Sequence, residues 1–358
     1  MGPLAGLKVV EISGIGPISY AGQMLADLGA EVTRIDRPGA TRADWGASPV
    51  LDRGRRSLRV DLKSREGVER VLALVAESEA LIEGFRPGVM ERLGLGPEPC
   101  LERNPALAYG RMTGWGQDGP YATTAGHDIT YLAISGALHM IGEEGGKPVP
   151  PVNLLGDFGA GSTFLAFGVL AAILHARATG EGQVVDAAIV DGAASLTGLL
   201  HGFLGSGGWR DERGVNLLDG GAPFYDTYRC ADGGWVAVGA LEPQFYRELL
   251  AKLGLADDPE LTGDHLDPRL WPVLRERLTA KFAERDRDDW AALFAGGDAC
   301  VAPVLSMAEA TADEHNRARR NFIELDGVLQ PARCRASPAP CPALRPRRPT
   351  RPPGTPPR

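Results

Sequence analysis

The chain runs to 358 residues, 44% of them hydrophobic and 23% charged, with a net charge of −8. That is an ordinary globular composition, long enough for two domains or for one large α/β domain with a smaller one attached. Seven arginines and no carboxylate lie in residues 327–358, which leaves −15 on residues 1–326 and argues against nucleic acid as a partner.

Residues 7–13, β-branched and bounded by glycine, predict a buried strand. Gly14, Gly16 and Pro17 then lead into a helical pattern through Ala21, Leu25 and Leu28, and residues 31–36 predict a second strand. This unit imitates a dinucleotide-binding fingerprint, but Ser19 stands at the third glycine and Pro17 in the turn, so a nicotinamide cofactor is not expected. Arg37 follows the second strand, the basic stretch 53–63 ends in a short strand, and Ser64 can cap a helix from Arg65. Arg86 and Arg92 follow another strand at 80–83. Three basic loops after strands stand where open α/β sheets bind ligands, and as a set they suit phosphates; any one alone reads as solvated charge. Residues 107–113 and 183–190 are further strand patterns, and 193–203 is apolar and helical. Such alternation implies a mostly parallel sheet covered on both faces.

Composition shifts at the polar, glycine-rich segment 205–214, which residues 216–228 continue as a linker. Asp232-Gly233-Gly234 marks a hairpin before a strand at 235–239, and a helix starts near Glu242. Helical patterns at 268–284 and 286–295 and a strand at 301–305 complete a smaller α+β domain. The division predicted is a large Rossmann-like α/β domain at 1–204, a linker at 205–222, the small domain at 223–305 and a return segment at 306–332. In the tail, 333–358, nine prolines and seven arginines predict irregular chain. The five cysteines form no C-x-x-C pair and the histidines have no ligand spacing, so reduced thiols and no metal are expected. The longest apolar run, 164–174, is short for a bilayer, and no secretory signal opens the chain. A cytoplasmic protein without a membrane partner is expected.

The stretch 126–160 carries the chemistry. Gly126-His127-Asp128-Ile129-Thr130-Tyr131 stands at one end; Asn153 and Asp157, in a glycine-flanked turn, stand at the other. The apolar run from Phe158 reads as a buried helix that begins at or just after Asp157 and stops at Gly180. Free N–H groups at that start could hold a developing oxyanion while His127 and Asp157 transfer protons. The bland readings are a helix cap for Asp157 and a structural role for His127.

With Gly126-His127-Asp128-x-x-Tyr131, Asn153-x-x-x-Asp157 and Gly221-Ala222-Pro223-Phe224-Tyr225, the chain resembles the family III CoA-transferases. Further matching stretches cover residues 4–332 in order, and within the family the likeness is to members that epimerise 2-methylacyl-CoA thioesters. The resemblance implies a Rossmann-like CoA-binding domain, a small α+β domain and a homodimer of interlocked chains. Each site would lie between one chain's large domain and the other's small one. It further implies His127 and Asp157 as the proton-transfer pair, Glu242 as partner of the imidazole and Asn153 as support for Asp157. Arg37, Val60, Asp61, Leu62, Lys63, Gly126, Asp128, Ile129, Thr130 and Tyr131 would contact the acyl-CoA, and Arg86 and Arg92 would meet its phosphates. The thioester is the substrate, and no cofactor or metal is implied. CoA transfer between carboxylic acids, with Asp157 as nucleophile, is the alternative; a CoA- or nucleotide-sensing protein ranks third. The Gly-His-Asp motif favours epimerisation. Beyond Ala332 the chain departs from the family's pattern, and its composition there reads as a shifted reading frame.

Overall fold

The computed structural model describes residues 2–14, 16–39 and 48–332; the tail at 333–358 lies outside them. Packing divides the described chain at other points than composition does. One compact unit comprises residues up to 126, 156–192 and those from 321, and the second comprises 127–155 and 193–320. Composition marks loops, whereas packing records the partners each segment finds.

The first unit is a doubly wound sheet. Six strands, β1 (Lys8–Ile12), β2 (Glu31–Asp36), β3 (Arg56–Arg59), β4 (Ala80–Glu83), β5 (Ala108–Thr113) and β6 (Gln183–Ala188), pair in parallel in the order β3-β2-β1-β4-β5-β6. Successive side chains of a strand face opposite ways, so Val9 enters one apolar cluster and Val10 the other. The helices Pro17–Asp27 and Thr163–Thr179 cover the first face, with Ile18, Leu25, Leu165 and Val169 buried there. Arg65–Ala76 covers the second with Val71 and Val75, and Ser64 Oγ accepts from Gly67 N at 3.0 Å as its predicted cap.

Arginines on or beside these strands are absorbed by the fold. Arg34 is paired with Asp36 at 2.9 Å and with Asp52, and Arg53 with Asp27 at 2.6 Å. Arg55 donates to Glu11 Oε2 at 2.6 Å, and Arg111 meets Glu83 at 3.0 Å and Glu91 at 2.7 Å. Arg53 and Arg55 of the basic stretch 53–63 are therefore structural. A Cβ at Gly22 would overlap the Glu11 carboxylate, so that glycine makes room for the pair. Burial pushes the carboxyls of Glu11 and Glu83 up even with arginines beside them.

The second unit has a three-stranded antiparallel sheet, β7 (Tyr225–Arg229), β8 (Trp235–Gly239) and β9 (Val301–Pro303). Residues 225–228 are thus strand and lie within the expected small domain 223–305, although their composition reads as a continuation of the linker. The Asp232-Gly233-Gly234 turn folds this segment back on β8, and the partner outweighs the polar composition. Helices Pro243–Leu253, Trp271–Phe282 and Arg287–Phe294 pack Tyr246, Phe282, Trp290 and Phe294 around Phe224 and Tyr228. A last hairpin, β10 (Phe322–Leu325) and β11 (Val328–Pro331), belongs to the first unit. Its turn, Asp326-Gly327, has positive φ at both residues, the Asp-Gly signal of a tight hairpin, and Arg53 reaches Gln330 Oε1 at 3.0 Å.

Candidate active site

The helix carrying Asp157 starts at Leu154, three residues before the expected point. Leu154–Ser162 winds in the wide π manner before continuing as Thr163–Thr179 to Gly180 at φ 81°. Three glycines (Gly156, Gly159, Gly161) and close packing neighbours permit this. A Cβ at Gly161 would come 3.0 Å from Ile189, and one at Gly192 would come 2.3 Å from the Ala160 carbonyl oxygen. Wide turns within α-helices concentrate at functional sites, and N–H groups of the first turn have no partner inside the helix. By length and composition the whole helix Leu154–Thr179 could cross a bilayer; here it lies on β5 and β6. It is not buried all round as expected, since Phe167 is 76% and Leu174 67% exposed.

Asp157 itself is half-buried and faces the loop that leaves β1. A Cβ on Gly16 would sit 3.9 Å from Asp157 Oδ2. Gly16, at φ 67°, is the N-cap of Pro17–Asp27, so the carboxylate stands by the positive end of that helix. Two further contacts hold the turn in place. Ser162 Oγ donates to Pro17 O at 2.7 Å and lies 3.1 Å from Asp157 O, and Phe158 meets Tyr20 edge-on at 5.1 Å. The strand order reverses between β1 and β4, and ligands of doubly wound sheets bind at such a reversal, beyond the carboxyl ends of the strands. Gly16 and Ser162 were missed in the sequence. The Gly14–Gly16–Pro17 turn was legible only as a failed dinucleotide fingerprint.

Arg37 follows β2, Val60–Lys63 follows β3, and Arg86 and Arg92 follow β4, all at the carboxyl ends of parallel strands. Arg37, Lys63, Arg86 and Arg92 are exposed and make no ion pair among the described residues. Val60 and Leu62 are not surface contacts: their side chains lie in the core, so only their backbone can meet a ligand. Asp61 is exposed and its carboxylate accepts from Lys63 N at 3.0 Å.

In the second unit, the segment after Gly126 turns directly into the helix Asp128–Ile134, with His127 as N-cap. Thr130 Oγ1 accepts from His127 N at 3.0 Å and donates to His127 O at 2.7 Å. The imidazole and Ile129 are exposed, whereas Asp128 and Tyr131 are buried. Glu242 is the exposed N-cap of Pro243–Leu253, beside the Cys300 thiol, whose pKa burial first and this carboxylate next push up. No ion pair joins His127 to Glu242 within the described chain. Asn153 immediately precedes the helix that carries Asp157.

An apolar cavity of about 460 Å³ opens in this unit, walled by Met140, Ile141, Leu155, Leu196, Leu200 and Trp209. No group of three or more metal-ligating side chains occurs among the described residues.

A doubly wound sheet with a carboxylate at its topological switch point and free arginines along the same edge defines an α/β enzyme for an anionic ligand. The chain matches the model of CoA-transferase family III over residues 4–356 and belongs to that family. It is 45% identical to mouse alpha-methylacyl-CoA racemase over 341 residues, 95% of this chain and 86% of that protein. To the human racemase it is 46% identical over 320 residues, 89% and 82% of the two chains. The crystal structure of a CaiB/BaiF family protein from Brucella suis is 27% identical, with a TM-score of 0.79 over 95% of this chain and 92% of that one.

Proposed function

We propose that this protein racemises 2-methylacyl-CoA thioesters at C2. The observation that carries the reading is identity of 45–46% over most of the chain to two racemases. The Gly126-His127-Asp128 motif and Asp157 support it.

In this reading one group takes the C2 proton and the C–H electron pair moves into the thioester, leaving an enolate. The other group delivers a proton to the opposite face, giving the epimer; both groups then exchange protons with solvent. His127, with Glu242 of the other chain beside it in the dimer, and Asp157 at the start of a helix suit the two roles. The positive N-terminal end of the helix Leu154–Ser162 suits the enolate oxygen. Arg37, Lys63, Arg86 and Arg92 bind the CoA phosphates, with Asp61 and the backbone of Val60 and Leu62 beside them. The 126–131 segment also lies along the thioester, and Asn153 supports Asp157. The apolar cavity favours a hydrocarbon acyl chain. The reaction uses neither metal nor cofactor.

The working form in this reading is a homodimer of interlocked chains, which brings Glu242 of one chain to His127 of the other. Support comes from exposed apolar surface: no residue of helix Gly198–Gly205 is buried in the single chain, and Phe167 and Leu174 are bare.

Incubation of one epimer of 2-methyldecanoyl-CoA in deuterated water should deuterate C2 and yield both epimers, from a species of twice 38.0 kDa in sedimentation. CoA exchange between acids without C2 deuteration, with hydroxylamine converting the activated Asp157 carboxyl to a hydroxamate, would establish the transferase reading instead.

A further inference from the structure

Leaving β8, the chain turns through Ala240 and Leu241 to Glu242, which begins the next helix. The backbone of this corner is held at every step. Gly239 N donates to Cys300 O at 2.9 Å, Ala240 N to Phe224 O at 2.8 Å and Leu241 N to Gly239 O at 3.0 Å. The Leu241 carbonyl precedes the helix and so lies outside its ladder. Its partner is a side chain: His265 Nε2 lies 2.8 Å from Leu241 O, and a carbonyl can only accept, so that nitrogen carries the proton.

His265 is 5% exposed and is itself locked. Its ring stacks on Tyr246 at 4.4 Å and 9°, and meets Phe224 edge-on at 4.7 Å. Its backbone carbonyl accepts from Trp271 Nε1 at 3.0 Å, while Tyr246 OH donates to Leu261 O at 3.0 Å. Tyr246 stands one helical turn after Glu242, so one imidazole grips both the carbonyl before the carboxylate and the helix stripe below it. A phenyl ring would fill this aromatic slot equally well but could not donate to Leu241.

We propose that His265 is a positioning residue, whose Nε2–H bond to Leu241 O sets the backbone from which Glu242 presents its carboxylate. The proposal rests on the reading of Glu242 as a racemase residue. Displacing a catalytic group by a fraction of an ångström to 1 Å costs up to about 100-fold in rate, so kcat should be the quantity that moves.

The experiment measures racemisation of 2-methyldecanoyl-CoA by the full-length dimer carrying His265→Leu, His265→Gln, Glu242→Gln and the double variant His265→Leu/Glu242→Gln. His265→Leu should lower kcat on the order of 10- to 100-fold with KM within about twofold. His265→Gln, whose amide nitrogen is as many bonds from Cα as Nε2, should recover most of it. In the Glu242→Gln background, His265→Leu should cost nothing more, because the group it positions is gone. Equal losses in His265→Leu and His265→Gln, or full additivity in the double variant, overturn the proposal while leaving Glu242 in its role. A Glu242→Gln enzyme with wild-type kcat overturns both. If His265→Leu does not fold, His265→Gln at wild-type kcat beside a folded, tenfold slower His265→Asn supports the bond's reach; equal rates overturn it.

Discussion

Arg34 and Arg37 stand three residues apart, yet they belong to different worlds. Arg34, like Arg53, Arg55 and Arg111, has a side chain no more than 7% exposed and carries its own carboxylates. Arg37, like Arg86 and Arg92, lies past the end of a strand, exposed and without an ion pair among the described residues. Within the sheet layer a guanidinium is tolerable only when paired and hydrogen-bonded. Beyond the carboxyl edge it stays hydrated, and its planar fork remains available to a phosphate. Position relative to the strand end, not residue type, separates the paired arginines from the unpaired ones among the described residues.

The sharpest way to break this comparison is to remove one member of the buried set. Arg55→Met leaves Glu11 fully buried without its partner and should cost about 3–5 kcal/mol in urea unfolding. Adding Glu11→Met should return part of that loss; an Arg55→Met protein of wild-type stability would place these ions among the dispensable. The exposed set should show the reverse pattern. Arg37→Ala, Arg86→Ala or Arg92→Ala should leave the unfolding midpoint unchanged and raise KM for acyl-CoA by about tenfold, since a charge-assisted bond contributes about 1.5–3 kcal/mol. The loss should shrink as salt is added. Unchanged KM in all three would return those arginines to solvated surface charge.

The smallest effect is expected at an ion pair that belongs to neither set. The Arg287 guanidinium, donating to Glu309 Oε1 at 2.7 Å, holds that exposed carboxyl at about 2 instead of its ordinary 4.5, with Ser306 helping through the cap of Met307–Ala312. A carboxyl depressed in the folded state adds stability that is complete above pH 4.5 and vanishes as pH falls through about 2. Its resonance should therefore titrate near pH 2 in wild type and move up toward 4.5 in Arg287→Gln, stopping short of it while Ser306 still donates, with little change in global unfolding. A Glu309 midpoint near 4.5 in the wild type would remove the interaction.

Much of the scaffold was legible beforehand because it rests on local rules. Six parallel strands fell where strand patterns alternate with helical ones, β3 at the end of a basic stretch, and Ser64 and Gly180 started and stopped helices as their chemistry dictates. The misses share one cause. Strand β7 lay inside a polar stretch whose partner was seven residues further on, and the Asp326-Gly327 hairpin was short enough to pass as loop. The early start of the Asp157 helix depends on close packing at Gly161, against the Ile189 side chain, and at Gly192, against the Ala160 carbonyl, which no periodicity announces.

The sequence by itself determined the alternation that makes the sheet, the two charge-bearing motifs at His127 and Asp157, and the family to which they point. These follow from side-chain chemistry and from spacing along one chain. Only the tertiary structure decided which arginines were consumed by carboxylates and that Val60 and Leu62 face the core. It also decided that Asp157 looks onto Gly16 and that a buried His265 holds the carbonyl before Glu242. Each of these turns on which distant residue comes within hydrogen-bond or van der Waals reach, a property that composition and periodicity do not encode.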